Sequence, residues 1–124
     1  MKDPANPVCR TISTLLSRIG DKWTVLVVTT LADGSKRFNE LRREIPSVSQ
    51  RMLTLTLRNL ERDGLVSRTV TPSIPPRVDY ALTELGCSLQ KPIIALSDWA
   101  LSHVEQIHAA QARFDDQHDK SEAA

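Results

Sequence analysis

The amino-acid sequence predicts a mainly α-helical domain with one small antiparallel β-hairpin, in the order α-α-α-α-β-β-α. Four segments ahead of Leu65 repeat apolar residues at helical spacing, and each of them ends at a glycine or a proline. Two short segments then alternate apolar and polar residues and are rich in β-branched residues, which is typical of strands. Helical spacing returns after Thr83.

The composition fits a single globular domain. The chain has 124 residues, of which 40% are hydrophobic and 25% charged, so it can bury a core and does not resemble a disordered protein. No apolar run approaches the roughly 20 residues of a membrane helix, and the N-terminal MKDPANPVCR lacks the apolar stretch of a signal peptide. We therefore expect a cytoplasmic protein with no membrane partner.

The sequence offers no motif for catalysis or metal binding. Cys9 and Cys87 are far apart and outside any CxxC pair, which argues against a zinc site or a disulfide framework. His103 and His108 do not have the i, i+4 spacing of a helical metal pair. GxSxG, P-loop and GxGxxG sequences do not occur. We predict neither an enzyme nor a bound metal or cofactor.

The first two predicted helices are separated by Gly20. The first covers residues 10–19, and the second covers residues 22–33, with Asp21 as its N-cap and Gly34 at its end. The second helix is apolar nearly all round, which is typical of the buried central helix of a small domain.

The next two predicted helices are separated by Pro46. Residues 37–45 form the third, and the proline prevents its extension. In the fourth, Ser47 and Gln50 make an S-x-x-Q capping box, so the helix is predicted to start at Val48. A leucine stripe at helical spacing then anchors it to the core, formed by Leu53, Leu57 and Leu60.

The two alternating segments are LVSRTV, residues 65–70, and RVDYAL, residues 77–82. The proline-rich TPSIPP between them is too stiff for a two-residue turn, so we predict an extended loop. Thr83 caps a further helix, which Pro92 is predicted to kink or break, and a last helix runs to about Phe114. Short helices followed by a strand–loop–strand make a winged helix-turn-helix, in which the loop is the wing.

The N-terminal half of the fourth helix carries polar side chains away from its leucine stripe. In a helix-turn-helix this half enters the major groove of DNA. Gln and Arg can read adenine and guanine edges, and Ser and Thr can bond bases or phosphates. We predict DNA contacts by five side chains: Ser49, Gln50, Arg51, Thr54 and Arg58. The alternative is an ordinary amphipathic surface helix.

Four further cations flank this helix in the predicted fold. Arg77 ends the proline-rich loop and Arg68 lies on the strand that leads into it, where each can reach phosphates or a narrow minor groove. Lys36 and Arg37 precede the third helix and are predicted to contact phosphates without reading sequence. For Arg77 the alternative is an exposed turn residue.

The charge is distributed unevenly along the chain. Residues 36–77 hold nine Lys or Arg against four Asp or Glu, a net charge of +5. Residues 98–124 hold two against six, a net charge of −4. A basic middle suits a domain that faces a polyanion such as double-stranded DNA, although an uneven solvated surface gives the same counts.

Three blocks of the chain resemble one family of bacterial transcription regulators, the HxlR type. They are IGDKWTVLVV, RFNELRREIPSVSQRMLTLTLRNLERDGLV and PPRVDYALTELG, and the similarity runs from about Cys9 to Trp99. The resemblance implies a homodimeric winged helix-turn-helix, related to MarR-type regulators, that binds operator DNA. It also implies a recognition helix at residues 48–63 and a wing at residues 71–78.

Members of that family commonly carry a cysteine ahead of the first helix, and some use it to sense oxidants or electrophiles. Cys9 stands at this position beside Arg10, and both the cation and the helix N-terminus favour a thiolate. The hypothesis is a redox switch at Cys9 acted on by a small reactive effector. The alternative is a small side chain with no such role.

The last helix has an apolar stripe beyond what a single small core needs, which predicts a dimer. The first helix is expected to pack against the partner's last one, and the predicted interface is Ile12, Leu96, Trp99, Ala100, Val104 and Ile107. A twofold dimer would place two recognition helices about one DNA turn apart, matching an inverted repeat. The alternative is that the last helix packs back on its own domain.

The predicted organisation is a flexible arm at residues 1–8, a winged helix-turn-helix at 9–92, a dimerisation helix at 93–114 and a polar tail at 115–124. The predicted function is regulation of transcription by a homodimer bound to an inverted-repeat operator, in the cytoplasm and at the nucleoid when on DNA. The alternative is a dimeric winged-helix adaptor that acts through protein contacts.

Overall fold

The structure, a computed structural model, describes residues 6–123, with side chains for residues 6–119. Residues 6–90 form one compact unit and residues 91–123 a second. The described residues form six α-helices and two strands: α1 Pro7–Ile19, α2 Lys22–Thr30, α3 Phe38–Glu44, α4 Gln50–Arg62, β1 Val66–Thr71, β2 Arg77–Leu82, α5 Glu84–Ser88 and α6 Gln90–Ala123. The predicted order of helices and strands is confirmed.

Helix α1 begins at Pro7, earlier than the predicted start at residue 10. Asn6 is its N-cap, and the Asn6 Oδ1 atom accepts a hydrogen bond of 2.8 Å from the Val8 N–H. Proline suits the first helical position because its missing N–H would have no partner there. The last two residues of the predicted arm, Pro7 and Val8, therefore belong to α1. Residues 1–5 of the arm lie outside the described residues.

Helix α2 packs one face into the core of the first unit, so its predicted burial is confirmed only in part: Thr24, Val27 and Val28 are buried, whereas Leu26 is 36% exposed. The Asp21 Oδ1 atom caps it by accepting the backbone N–H groups of Trp23, at 2.8 Å, and Thr24, at 3.2 Å. Val27 and Val28 are completely buried, and a 3₁₀ turn, Leu31–Asp33, continues the chain to Gly34.

Helix α4 starts at Gln50, so the predicted capping box at Ser47 is wrong. The N-cap is Ser49, whose Oγ accepts a 3.0 Å hydrogen bond from the Met52 N–H. An N-cap residue needs extended backbone, whereas Ser47 has a φ of 67° in the left-handed region. Val48 is buried rather than helical. Burial of this valine sets the register of the chain entering α4.

The leucine stripe of α4 faces the core as predicted. Leu53, Leu57 and Leu60 are buried together with Thr56, a residue that the stripe did not include. The Thr56 hydroxyl donates a 2.8 Å hydrogen bond to the Met52 carbonyl, which satisfies the polar group inside the packed face. The 3–4 spacing of these four residues holds α4 on the scaffold with its opposite face exposed.

Strands β1 and β2 pair antiparallel as predicted, with Val66 opposite Leu82 and Thr71 opposite Arg77. Lys36 adds a bridge to this hairpin, since its N–H donates to the Tyr80 carbonyl at 2.9 Å and the Tyr80 N–H donates back at 2.8 Å. These two bonds tie the segment before α3 to strand β2 of the hairpin.

The break between α5 and α6 lies at Leu89, ahead of the predicted break at Pro92. Pro92 falls in the first turn of α6, where an N–H has no helical partner to lose. Helix α6 continues past the predicted end at Phe114, through Ala123. Stacking of the Phe114 and His118 rings, with centroids 3.8 Å apart, stabilises the extension across one turn. Within residues 6–123, no helix is both long and apolar enough to cross a membrane.

Candidate nucleic-acid interface

The exposed face of α4 forms an open groove of about 590 Å³, which we call the outer groove. Four of the five predicted DNA-contacting side chains line it, together with one leucine that was not predicted: Gln50, Arg51, Thr54, Leu55 and Arg58. All five residues are exposed. The structure therefore brings most of the predicted recognition set onto one surface.

A second open groove, of about 430 Å³, lies between α4 and the hairpin, and we call it the wing groove. It is lined by Thr54, Leu57, Arg58, Glu61, Arg68 and Tyr80. Thr54 and Arg58 belong to both grooves, so the two form one continuous surface. Arg68 reaches this surface from β1, where it pairs with Tyr80 across the hairpin.

Ser49, the fifth side chain predicted to contact DNA, does not line the outer groove and is instead the N-cap of α4. Its Oγ caps α4 by accepting the Met52 N–H, and the hydroxyl proton remains available for donation. The residue is exposed at the N-terminus of α4, where unpaired backbone N–H groups carry a partial positive charge. A phosphate oxygen is the natural partner for such a helix end.

Lys36 is held by an acidic neighbour. Its Nζ lies 3.0 Å from the Glu44 Oε2, and the hydrogen bond to Glu44 raises the pKa of Lys36 above its usual value. The lysine is therefore fully charged at neutral pH, but its ammonium already has an anionic partner. A phosphate would have to share or displace Glu44, which weakens the case for Lys36 as a phosphate contact.

Arg37 is the N-cap residue of α3, and its N–H donates a 3.1 Å hydrogen bond to the Glu40 Oε1. Its side chain lines a third open surface, of about 760 Å³, on which three arginines outnumber one glutamate. This surface is formed by Arg37, Asn39, Glu40, Arg42 and Arg43. Arg37 thus belongs to a cationic face of α3 rather than to the grooves beside α4.

Arg77 lies at the start of β2, opposite Thr71, and is exposed. Its Nε is 3.0 Å from the Asp79 Oδ2 on the same strand. The pair leaves the other guanidinium nitrogens available for a phosphate. Arg77 lines neither of the two grooves beside α4, so the wing loop is a separate part of the candidate interface.

Leu55 and Tyr80 were missed by the sequence analysis. Leu55 is 51% exposed and lines the outer groove, and Tyr80 lines the wing groove beside two arginines. Leu55 follows Leu53 by two positions, which places it on the opposite side of the helix from the buried stripe. Its spacing could therefore have identified it, whereas nothing in the sequence distinguishes Tyr80 from its neighbours on β2.

The remaining predicted site residues lie on α1 and α6. Cys9 is half-buried near the start of α1 and is not disulfide-bonded to Cys87. Ile12 is half-buried on the same helix. The predicted interface residues of α6 are all exposed: Leu96, Trp99, Ala100, Val104 and Ile107. Among the side chains that the structure describes, no three His, Cys, Asp or Glu residues converge on a metal-binding geometry.

Comparison with known proteins agrees with this architecture. The family model described as HxlR-like helix-turn-helix matches residues 18–108, which is most of the chain. The HTH-type transcriptional regulator YdeP of Bacillus subtilis strain 168 is 45% identical over 101 residues, covering 82% of this chain and 79% of YdeP.

Solved structures give the same result. The redox regulator HypR in its reduced form superposes with a TM-score of 0.73 at 42% identity, covering 80% of this chain and 98% of HypR. The reduced form of the regulator YodB from B. subtilis superposes with a TM-score of 0.66 at 38% identity, covering 77% of this chain and 90% of YodB. A MarR-family regulator from Enterococcus faecalis V583 shares the fold at a TM-score of 0.68. The chain belongs to the HxlR-like helix-turn-helix family and is a DNA-binding transcriptional regulator with a winged, MarR-like fold.

Proposed function

We propose that this regulator binds an inverted-repeat operator as a homodimer, with α4 in the major groove and the wing on the neighbouring backbone. The observation that carries the proposal is the continuity of the outer groove and the wing groove. Their shared surface presents three arginines, one glutamine and one threonine against a single acid, Glu61. Such a surface offers base-reading groups at one end and phosphate-binding groups at the other.

The position of each residue on α4 supports a different proposed role. Gln50 and Arg51 occupy the first turn, the part of a recognition helix that meets base edges. Arg58 follows Arg51 by seven residues, so it lies on the same face about 10.5 Å further along the helix axis. There it joins Arg68 in the wing groove, where both can neutralise phosphates.

The proposed homodimer would bury two apolar helix faces against a second copy of the chain. On α1, Val8, Leu15 and Leu16 are exposed and lie on one side of the helix together with Ile12. On α6, the exposed stripe through Leu96, Trp99, Val104 and Ile107 continues to Phe114. Two exposed apolar faces on one small regulator exceed what a monomer normally leaves in water. A twofold dimer covers both and spaces the recognition helices by about 34 Å, one DNA turn.

Cys9 is proposed as a redox-responsive residue of this dimer. HypR is described as a redox regulator, and YodB has been crystallised after treatment with diamide. In the present chain Cys9 lies near the start of α1, three residues before Ile12 on the proposed dimer face. Oxidation there would change the packing of α1 and, through it, the separation of the recognition helices.

The operator proposal is tested by selecting bound duplexes from genomic fragments and measuring their affinity by fluorescence anisotropy at several salt concentrations. We expect an inverted repeat to emerge, with affinity that falls steeply as salt rises, because several phosphates are neutralised at once. Weak and salt-insensitive binding to every duplex would contradict the proposal and favour a role through protein contacts.

The redox proposal is tested on the selected operator with and without diamide. Diamide is expected to change the affinity of the wild type and of Cys87→Ser, but not that of Cys9→Ser. An equal response in all three proteins, or none in any, contradicts a role for Cys9.

A further inference from the structure

Leu55 differs in character from the other residues of the outer groove. It is 51% exposed, and the other four described residues that line the groove are polar or charged. Leu55 also lines a cavity of about 210 Å³ where α1, α2 and α4 meet. Among the described residues that line this cavity, Met52 is the one other apolar side chain. An exposed leucine by itself is common, but this one lies between two largely polar surfaces and has little apolar cover.

The position of Leu55 on α4 relates its exposure to DNA binding. Leu55 follows Arg51 by four residues, so it lies about 40° from Arg51 around the helix and about 6 Å further along its axis. The buried Leu53 lies about 160° away from it. Leu55 therefore occupies the second turn of the helix proposed to enter the major groove, beside the two residues proposed to read bases, Gln50 and Arg51.

The major groove offers one apolar group to a side chain in this position. Every base pair presents hydrogen-bond donors or acceptors at its major-groove edge, and only thymine adds a methyl group, on its C5 atom. A leucine side chain cannot form hydrogen bonds, so over any other base it covers polar atoms and gives them no partner. Over a thymine it removes two apolar surfaces from water at once.

We propose that Leu55 is a specificity-determining residue that recognises the C5-methyl group of a thymine in each operator half-site. The proposal rests on the operator binding proposed above and adds to it a contact that involves no hydrogen bond. Cytosine has no methyl group at this position and presents an amino donor instead, so the contact favours thymine over cytosine. Gln50 and Arg51 read donors and acceptors, whereas Leu55 reads the methyl group.

The test replaces each thymine of the selected operator in turn with deoxyuridine. Deoxyuridine lacks the methyl group but keeps the O4 acceptor and the pairing with adenine. We expect one thymine in each half-site whose replacement weakens binding by the wild-type protein by about fourfold, the effect of burying one methyl group. Replacement of the other thymines should have little effect. Fluorescence anisotropy at a fixed salt concentration measures each affinity.

The converse duplexes carry cytosine or 5-methylcytosine at the sensitive position, paired with guanine. Methylation changes only the C5 substituent of this base. It should therefore strengthen binding by the wild-type protein by about fourfold. It should not strengthen binding by Leu55→Ala. A loss on removing the methyl group and a gain on adding it at the same position indicate a direct contact with that group.

Three variants determine whether Leu55 makes the contact. Leu55→Ala should bind the thymine and deoxyuridine duplexes equally, because the apolar partner is absent. Leu55→Met keeps a long apolar side chain and should retain most of the fourfold ratio. Thr54→Ser is the matched control, because Thr54 carries the other methyl group among the described residues of the outer groove. It should leave the ratio unchanged, whatever its effect on overall affinity.

Three results would overturn the proposal for Leu55 while leaving operator binding intact. They are equal affinity of the wild type for all the deoxyuridine duplexes, a fourfold ratio that persists in Leu55→Ala, and a ratio that is lost in Thr54→Ser. An operator without thymine in its half-sites gives the first of these results. Failure of the chain to bind any duplex refutes both proposals, so the two kinds of failure are distinguishable.

Discussion

The Nε of Arg18, in the last turn of α1, donates a 2.7 Å hydrogen bond to the Asp63 carboxylate at the C-terminal end of α4. Both side chains are largely buried, with 23% and 16% of their surfaces exposed. A carboxylate at a helix C-terminus is repelled by the helix dipole. Arg18 compensates this repulsion and holds the C-terminal end of α4 against α1.

We expect the two halves of this pair to respond unequally to mutation. Arg18→Met leaves Asp63 charged and uncompensated, and should lower the free energy of unfolding by about 1–3 kcal/mol. Asp63→Asn also removes the dipole repulsion, so it should cost less. Urea denaturation of both single variants and of the double variant measures the difference.

The double variant provides the decisive comparison. Arg18→Met should cost clearly less in the Asp63→Asn background than in the wild type, because the uncompensated carboxylate is then absent. The pair of Arg77 and Asp79, in which the arginine side chain is 52% exposed, is the control and should show a coupling of about 0–1 kcal/mol. Additive effects at Arg18 and Asp63 would mean that the ion pair does not stabilise the fold.

Gly86 in α5 is predicted to tolerate no side chain. A Cβ added there would overlap the Leu65 carbonyl oxygen, which is fixed by a 3.1 Å hydrogen bond from the Thr83 N–H. Because a backbone atom must move, Gly86→Ala should lower the free energy of unfolding by about 2 kcal/mol or more. Cys87→Ala, the exposed neighbour on the same helix, should change it little. Similar thermal midpoints for the two variants would contradict the close approach.

Arg51 and Arg77 are predicted to differ in how they affect DNA recognition. Arg51→Ala should weaken binding to the preferred operator by about 1–3 kcal/mol and relax discrimination at one base step. Arg77→Ala should weaken binding evenly across sequences and reduce the salt slope by about one phosphate. Affinities for a set of operators with single base changes distinguish the two patterns. An unchanged sequence preference in Arg51→Ala would refute base readout by this residue.

The apolar stripe of α6 is predicted to hold the dimer together. Trp99 is 57% exposed and lies on the stripe, whereas Leu101 is 75% exposed and lies off it. Trp99→Asp should raise the dimer dissociation constant by about a hundredfold, as the loss of a central aromatic anchor does. Leu101→Asp introduces the same charge and should leave the dimer intact. Sedimentation velocity measures both, and equal dissociation in the two variants would exclude the stripe as the interface.

Much of the fold could be predicted because it depends on local patterns. The leucine spacing of α4, the Asp21 cap and the alternation in β1 and β2 are properties of neighbouring residues, and the structure confirms them. The predicted start of α4 was wrong because the S-x-x-Q spacing favoured Ser47 as the cap, and this spacing carries no information about burial or backbone conformation. Ser49 is the N-cap instead, because Val48 is buried and the backbone of Ser47 is left-handed.

Part of the candidate site could also be predicted from local patterns. The exposed residues of α4 follow from helical periodicity once the leucine stripe is known. The pairing of Lys36 with Glu44 and the arrival of Tyr80 beside Arg58 could not be predicted, because the partners come from separate elements. These contacts depend on how the hairpin pairs with the segment before α3.

The sequence by itself determined the helices and strands of this regulator and the polar face of α4, since both follow from the spacing of side chains along the chain. Only the tertiary structure decided which cations are already paired, where α4 begins and how its outer groove joins the wing. Only the packing of α1, α2 and α4 produced the cavity that lies between them. Hydrogen-bond satisfaction depends on every neighbour in space, and periodicity carries no information about neighbours distant in sequence.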